Sequence, residues 1–324
     1  MQEPNWLQEL IDHLHTKHAS HYEGEIATYI PELGKANPDH FGVAVVTADG
    51  RVVEAGNSDV CFTIQSISKP LTYGMALEAY GEERVSKHVG VEPSGDAFNS
   101  IELEKITNRP FNPMVNAGAI TVTAMLYQHY GERTFHEIMS RFSAAAGRQL
   151  EFDEEVYRSE SRTGHRNRAI AYLLLNFGMV PEHVEAALDI YFKQCSILVN
   201  CRDLATIAAT LSNLGTNPIT KAEVFDIDRV KDMMSIMFTC GMYDYSGQWA
   251  YRVGVPAKSG VSGGVMSVVN RQVGIASYSP LLDSKGNSCR GINLCADLAQ
   301  ELGLHVFDCM NAGSSYLNAM LENQ

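Results

Sequence analysis

Basic side chains are scarce in this 324-residue chain. It has 25 Lys and Arg against 38 Asp and Glu, for a formal net charge of −13. Phosphate backbones are bound by basic faces, so no nucleic-acid partner is expected. No apolar run reaches the ~18 residues that read as a membrane span, and no membrane role is expected. The opening stretch, MQEPNWLQELIDHLHTKH, lacks the basic start and apolar core of an export signal. Cysteine occurs seven times, at 61, 195, 201, 240, 289, 295 and 309, with no C-x-x-C spacing. An odd, scattered set argues against a disulfide framework or a zinc site and fits reduced thiols in the cytoplasm. There is no phosphate loop ending in G-K-[ST], no internal repeat and no low-complexity linker.

What is present is ordinary for a globular enzyme-sized chain, 45% hydrophobic and 19% charged. Residues 4–19 read as an amphipathic helix with Trp6, Leu7, Leu10, Ile11 and Leu14 on one side. His13, His15, His18 and His21 cluster at its end. No cysteine or carboxylate set completes a metal site there, so a solvated helix end is expected. Residues 41–56 form two β-rich runs around Asp49-Gly50, a hairpin signal. From 66 to about 240 the pattern is almost all helix. Gly81, Gly131, Gly147, Gly178 and Gly215 each follow a periodic apolar run, and Pro181 stands where a helix would open. After 250, GGVMSVVN and QVGIASYSP flank Asn270-Arg271 as a second hairpin, and INLCADLAQELG closes as a helix.

Hairpins near both ends therefore bracket a helical middle. The expected fold class is α+β: one antiparallel sheet with flanking helices, plus an inserted, mostly helical domain. Residues 1–65 and 241–324 would build the sheet domain and 66–240 the helical one. A cleft between them would be the natural ligand site.

FTIQSISKPLTY, residues 62–73, lies at that junction. Ser66 and Lys69 are three apart and share a face on a helix. A lysine whose pKa is pulled down by burial can take a serine's proton. A helix start also offers N–H groups to an oxyanion. The plainer reading is a capping serine and a solvated lysine, and S-x-x-K alone does not decide. Ser68 would point away from Lys69. A second signal is PAKSGVSGG, 256–264. Its Lys258-Ser259-Gly260 has the K-[ST]-G form that accompanies S-x-x-K in penicillin-recognising serine enzymes. The S-x-N or Y-x-N element of that trio is missing from the central region.

YIPELGKANPDHFGVAVVTADG, FTIQSISKPLTY, NPMVNAGAI, SESRTGHRN, ALDIYFKQCSI, TCGMYDYSGQWAYRVGVPAKSGVSGG and GNSCRGI together resemble the serine-dependent glutaminases, which share a β-lactamase/transpeptidase-like fold. The resemblance runs from Tyr29 to Gly303 in unbroken order. It implies hydrolysis of L-glutamine through a glutamyl ester on Ser66, with Lys69 as base and Tyr243 beside the nucleophile. It implies an oxyanion hole from the N–H groups of Ser66 and Val261. It places Glu160 against the substrate ammonium, with Tyr29, Gln65, Asn116, Asn167 and Tyr191 completing the pocket. It further implies no cofactor, no metal, and a homodimer or homotetramer. The alternatives are a β-lactamase or penicillin-binding relative, or an inactive amino-acid binder on the same fold.

Overall fold

The computed structural model describes residues 6–95 and 100–308. Helix α1 (Trp6–Ala19) leads into β1 (Gly42–Thr47) and β2 (Val52–Gly56), which pair antiparallel through Val43↔Ala55 and Val45↔Val53. After β3 (Phe62–Thr63) the chain turns helical: α2 (Lys69–Tyr80), α3 (Glu82–Ser86), α4 (Asn116–Tyr130) and α5 (Thr134–Ala146). Strand β4 (Glu151–Phe152) precedes α6 (Glu154–Thr163), α7 (His165–Asn176) and α8 (Val184–Cys195). Then come β5 (Ile197–Val199), α9 (Cys201–Ser212), α10 (Ile227–Cys240) and α11 (Ser246–Arg252). The chain returns to β6 (Ala257–Ser259), β7 (Gly264–Val269) and β8 (Val273–Tyr278), and α12 (Cys289–Leu302) follows.

The five-stranded sheet has the order β2-β1-β8-β7-β6, antiparallel throughout, so the hairpins of the two chain ends meet at β1 and β8. The expected α+β architecture is the observed one. Side-chain alternation divides the sheet between two cores. Val43 and Val45 pack with α1, α11 and α12, around Ile11, Trp249 and Leu298. Ala44 and Val46 face the helical side, with Met266 and Ala276. Both faces are covered, and all six residues of β7 are buried. Helix α9 lies directly on the sheet. Its start is fixed by a capping box in which Asn200 and Asp203 each accept from the other's N–H.

Several expectations change. Trp6 is exposed, and the buried face of α1 is Ile11, Leu14 and His18. Only part of the histidine cluster is solvated: His13 and His21 are exposed, whereas His18 is buried with Nε2 2.6 Å from Asp297 and His15 is half-buried, stacked on Phe41. Burial of the imidazole is compatible with the helix because a carboxylate partner waits on α12. Pro181 does not open a helix, since α8 begins at Val184. The central segment also contains β4 and β5, which join β3 in a small second sheet. These strands are two and three residues long, too short to show a period of two. Residues 4 and 5, Cys309 and most of the tail after Gly303 lie outside the described residues.

Candidate active site

The site is built where β3 ends. Gln65–Ser68 forms a single 3-10 turn that runs straight into α2 at Lys69. Residues i and i+3 eclipse in such a turn, so Ser66 and Lys69 stay on one side. Pro70 is the second residue of α2, where its missing N–H is harmless. Gln65 has φ +49° and Tyr243 φ +56°. Non-glycine residues adopt that left-handed backbone at a cost of ~1–3 kcal/mol, and such strain gathers at functional sites.

The Tyr243 hydroxyl is hydrogen-bonded to the Ser66 side chain, and it donates its own proton to the Ser259 carbonyl at 3.0 Å. Burial holds the phenol well above its usual pKa. Lys69 is buried and donates to the Met114 carbonyl (3.0 Å) and to Asn116 Oδ1 (2.7 Å). Both partners are neutral. Burial therefore pulls its pKa down to about 8, against the raising influence of Cys195 and Glu160. The plainer reading of Lys69 as a solvated surface residue is thus not what the chain makes. Lys258, also buried, donates to the Gly241 and Ser259 carbonyls beneath the Tyr243 ring.

Asn116 is the first residue of α4 rather than its cap. Its oxygen serves Lys69 and its Nδ2 donates to Asn167 Oδ1 at 3.0 Å, tying α4 to α7. Asn112, not Asn116, closes the preceding turn through the N–H groups of Met114 and Val115. Asp153 caps α6. That start places Val156 and Glu160, one turn apart, on the buried face. Glu160 is 6% exposed, and its Oε2 has no partner among the described residues. Burial lifts its carboxyl to about 8, opposed by the charge of Lys69. Tyr191 on α8 is buried nearby, its hydroxyl pushed up by burial and by Cys195 and Glu160.

Val261 sits in the β6–β7 turn, which presses against the Gln65–Ser68 turn. A Cβ on Gly260 would come within 3.0 Å of the Ile64 carbonyl and 3.1 Å of Ile67. Tyr29 is at the rim, with 56% of the residue exposed. Its hydroxyl nonetheless faces inward, where burial, Tyr243 and Glu160 raise its pKa. A cavity of about 960 Å³ opens beside Tyr29 and Val261. A smaller one of about 250 Å³ lies behind Tyr243, against Met114 and Val115. Gln65 turns its side-chain amide back to Thr63 Oγ1 on β3, at 3.2 Å. Sequence reasoning missed Gln194 and Cys195. Cys195 follows Tyr191 by four on α8, a spacing that marks one helix face. Among the described residues, no group of three or more His, Cys, Asp and Glu side chains is placed to hold a metal ion.

The fold and these side chains together define a β-lactamase-like α+β protein with a serine hydrogen-bonded to a tyrosine and a buried lysine one turn along. Within that class the chain belongs to the glutaminase family, whose model matches residues 24–307. A glutaminase of Nostoc sp. is 50% identical over 311 residues, covering 96% of this chain and 93% of the relative. A glutaminase of Microcystis aeruginosa is 52% identical over 298 residues, covering 92% and 88%. A solved probable glutaminase, ybaS, superposes with TM-score 0.89 at 41% identity, covering 94% of this chain and 99% of that one. Mglu in its glutamate form superposes with TM-score 0.89 at 40% identity, covering 95% and 71%.

Proposed function

We propose that the protein hydrolyses L-glutamine to L-glutamate and ammonia in the cleft between the sheet portion (1–65 and 241–324) and the helical portion (66–240). The observation that carries this reading is Ser66 hydrogen-bonded to Tyr243, with a buried Lys69 one turn along that donates to the neutral Met114 carbonyl and Asn116 side chain. Ser66 Oγ attacks the side-chain amide carbon. Lys69, as the free amine, takes the hydroxyl proton. The oxyanion is met by the N–H groups of Ser66 and Val261. The C–N bond breaks, ammonia leaves with a proton relayed through Tyr243, and water then hydrolyses the ester. Glu160 holds the substrate's α-ammonium. Asn116, Asn167, Tyr191, Gln65 and Tyr29 shape the amino-acid end. An unpaired buried carboxylate is costly unless a cation arrives, which supports that role.

Tyr243, a neutral phenol that already donates to the Ser259 carbonyl, accepts the Ser66 hydrogen bond and so orients the hydroxyl rather than taking its proton first. A single series of variants tests these roles by ammonia release from L-glutamine. Ser66→Ala leaves background activity with the fold intact by circular dichroism; substantial activity would overturn the nucleophile. Lys69→Arg keeps the charge but cannot deprotonate, and should lose ~10²–10⁴-fold in kcat. Near wild-type kcat in that variant would move the base to Tyr243. We further read the protein as a cytoplasmic homodimer or homotetramer. The free state of all six described cysteines fits that compartment, and light scattering at assay concentration tests the assembly.

A further inference from the structure

We propose that Ser68, held by Gln194 and Thr123, is a positioning residue that locks the nucleophile turn; this rests on the reading of Ser66 as nucleophile. The pieces come from three elements and are fully buried. Ser68 Oγ donates to the Gln65 carbonyl at 2.7 Å. Gln194 Nε2, on α8, donates to Ser68 Oγ at 3.3 Å. Thr123, on α4, shares its proton between Gln194 Oε1 (3.2 Å) and the Ala119 carbonyl (2.9 Å). Cys195, the next residue of α8, also bonds to Ser68.

The bond to the Gln65 carbonyl has a geometric consequence. Gln65 is the residue at φ +49°, and the direction of its carbonyl is the direction of the peptide plane it shares with Ser66. Pinning that oxygen fixes the plane, and with it the aim of the Ser66 N–H and the start of the Cα–Cβ bond. Without the pin, a residue with a Cβ relaxes toward negative φ. Ser66 would then swing away from Tyr243. Buried polar groups hold one arrangement when each has its partner, and this chain supplies one from every side. Ser68 touches neither substrate nor reacting atoms, so it acts only through the turn. Glu160 on α6 and Asn167 on α7 belong to helices outside this chain of bonds and keep their places when it is lost.

The test uses the full-length protein with Ser68→Ala, Gln194→Leu, Thr123→Val and the pair Ser68→Ala/Gln194→Leu. It measures kcat, the Kd for L-glutamate by calorimetry, and the melting temperature. Ser68→Ala is expected to lower kcat by on the order of 10-fold to 100-fold, the scale of a sub-ångström to 1 Å misplacement. Glutamate affinity should fall far less than kcat, because Gln65 alone of the residues at the amino-acid end lies in the turn. Gln194→Leu and Thr123→Val should give smaller losses in kcat, and the pair should be no worse than Ser68→Ala alone, because both act through one bond. If Ser68→Ala fails to fold, the near-isosteric Thr123→Val carries the test. A kcat within about twofold of wild type with only a lowered melting temperature would overturn the proposal. So would parallel loss of kcat and affinity, or additivity in the pair. Activity surviving in Ser66→Ala would instead sink the nucleophile reading beneath it.

Discussion

Glu160 and Lys69 define what single residues do here. The other titratable groups facing them are Cys195 of α8, Tyr191, Tyr29, Tyr243 and Lys258. Burial pushes the thiol and the three phenols up and Lys258 down, disfavouring the charged form of each. In the proposed mechanism Lys69 must lose a proton to become a base, and Glu160 must lose one to meet an ammonium. Both pKa values lie near 8, one lowered and one raised. Activity should therefore rise with pH through that range, because the productive form is the deprotonated one for both groups. In Glu160→Gln one of the two ionisations is gone, so log kcat/KM against pH should climb less steeply than in wild type. An equal slope would remove Glu160 from the titration. Substrate chemistry sharpens the point. Truncating one side of a buried charge pair costs ~2–5 kcal/mol, or roughly 30-fold to several thousand-fold in kcat/KM on L-glutamine. On glutaramic acid, which lacks the amino group, the same variant should lose little or gain. Equal losses on both compounds would make Glu160 structural.

At the scale of elements, hairpins and helix ends were legible because their signals are local. Asp49-Gly50 turns β1 into β2, with Gly50 at φ +93°. The five glycines expected to end helices all carry positive φ. Helix α9 was legible as a helix, but not as the one that rests on the sheet. That placement depends on Gly274 of β8, where a Cβ would stand 2.2 Å from Ala209 N and 2.3 Å from the Ala205 carbonyl. Nothing local in QVGIASYSP announces a helix backbone at that distance. Both clashing atoms are main chain, so no side-chain rotation relieves them. Gly274→Ala should cost at least the ~1–3 kcal/mol typical of overpacking, read by urea unfolding. The neighbouring Ala276→Gly removes atoms without a clash and serves as the comparison. Equal stability of Gly274→Ala and wild type would mean that α9 can shift away from the sheet.

Over the whole molecule, the site draws on distant parts of the chain. Tyr29 precedes the sheet, Ser66 and Lys69 open the helical segment, Asn116, Glu160, Asn167 and Tyr191 ride on four helices, and Tyr243 and Val261 arrive with the return to the sheet. Spacing alone could link only Ser66 with Lys69. The other residues were legible through family blocks, since by itself Tyr191 reads as a core aromatic on an amphipathic helix and Asn116, shortly after Asn112-Pro113, as a helix cap. Gln194 was not legible at all, because its partners Ser68 and Thr123 are 126 and 71 positions away. A site assembled this way joins both chain ends to the middle. A ligand that grips Glu160, Tyr191 and Val261 together should stabilise the fold as one unit. L-Glutamate at a hundredfold excess over its Kd adds about 2.7 kcal/mol by mass action if it binds only the folded state. The unfolding transition should therefore move up in temperature as one step and stay single. In Glu160→Gln the same concentration should give a much smaller rise, because the ammonium has lost its anion. A transition that splits in two, with only one part moved by L-glutamate, would show that the ligand grips one portion alone and that the cleft is not shared.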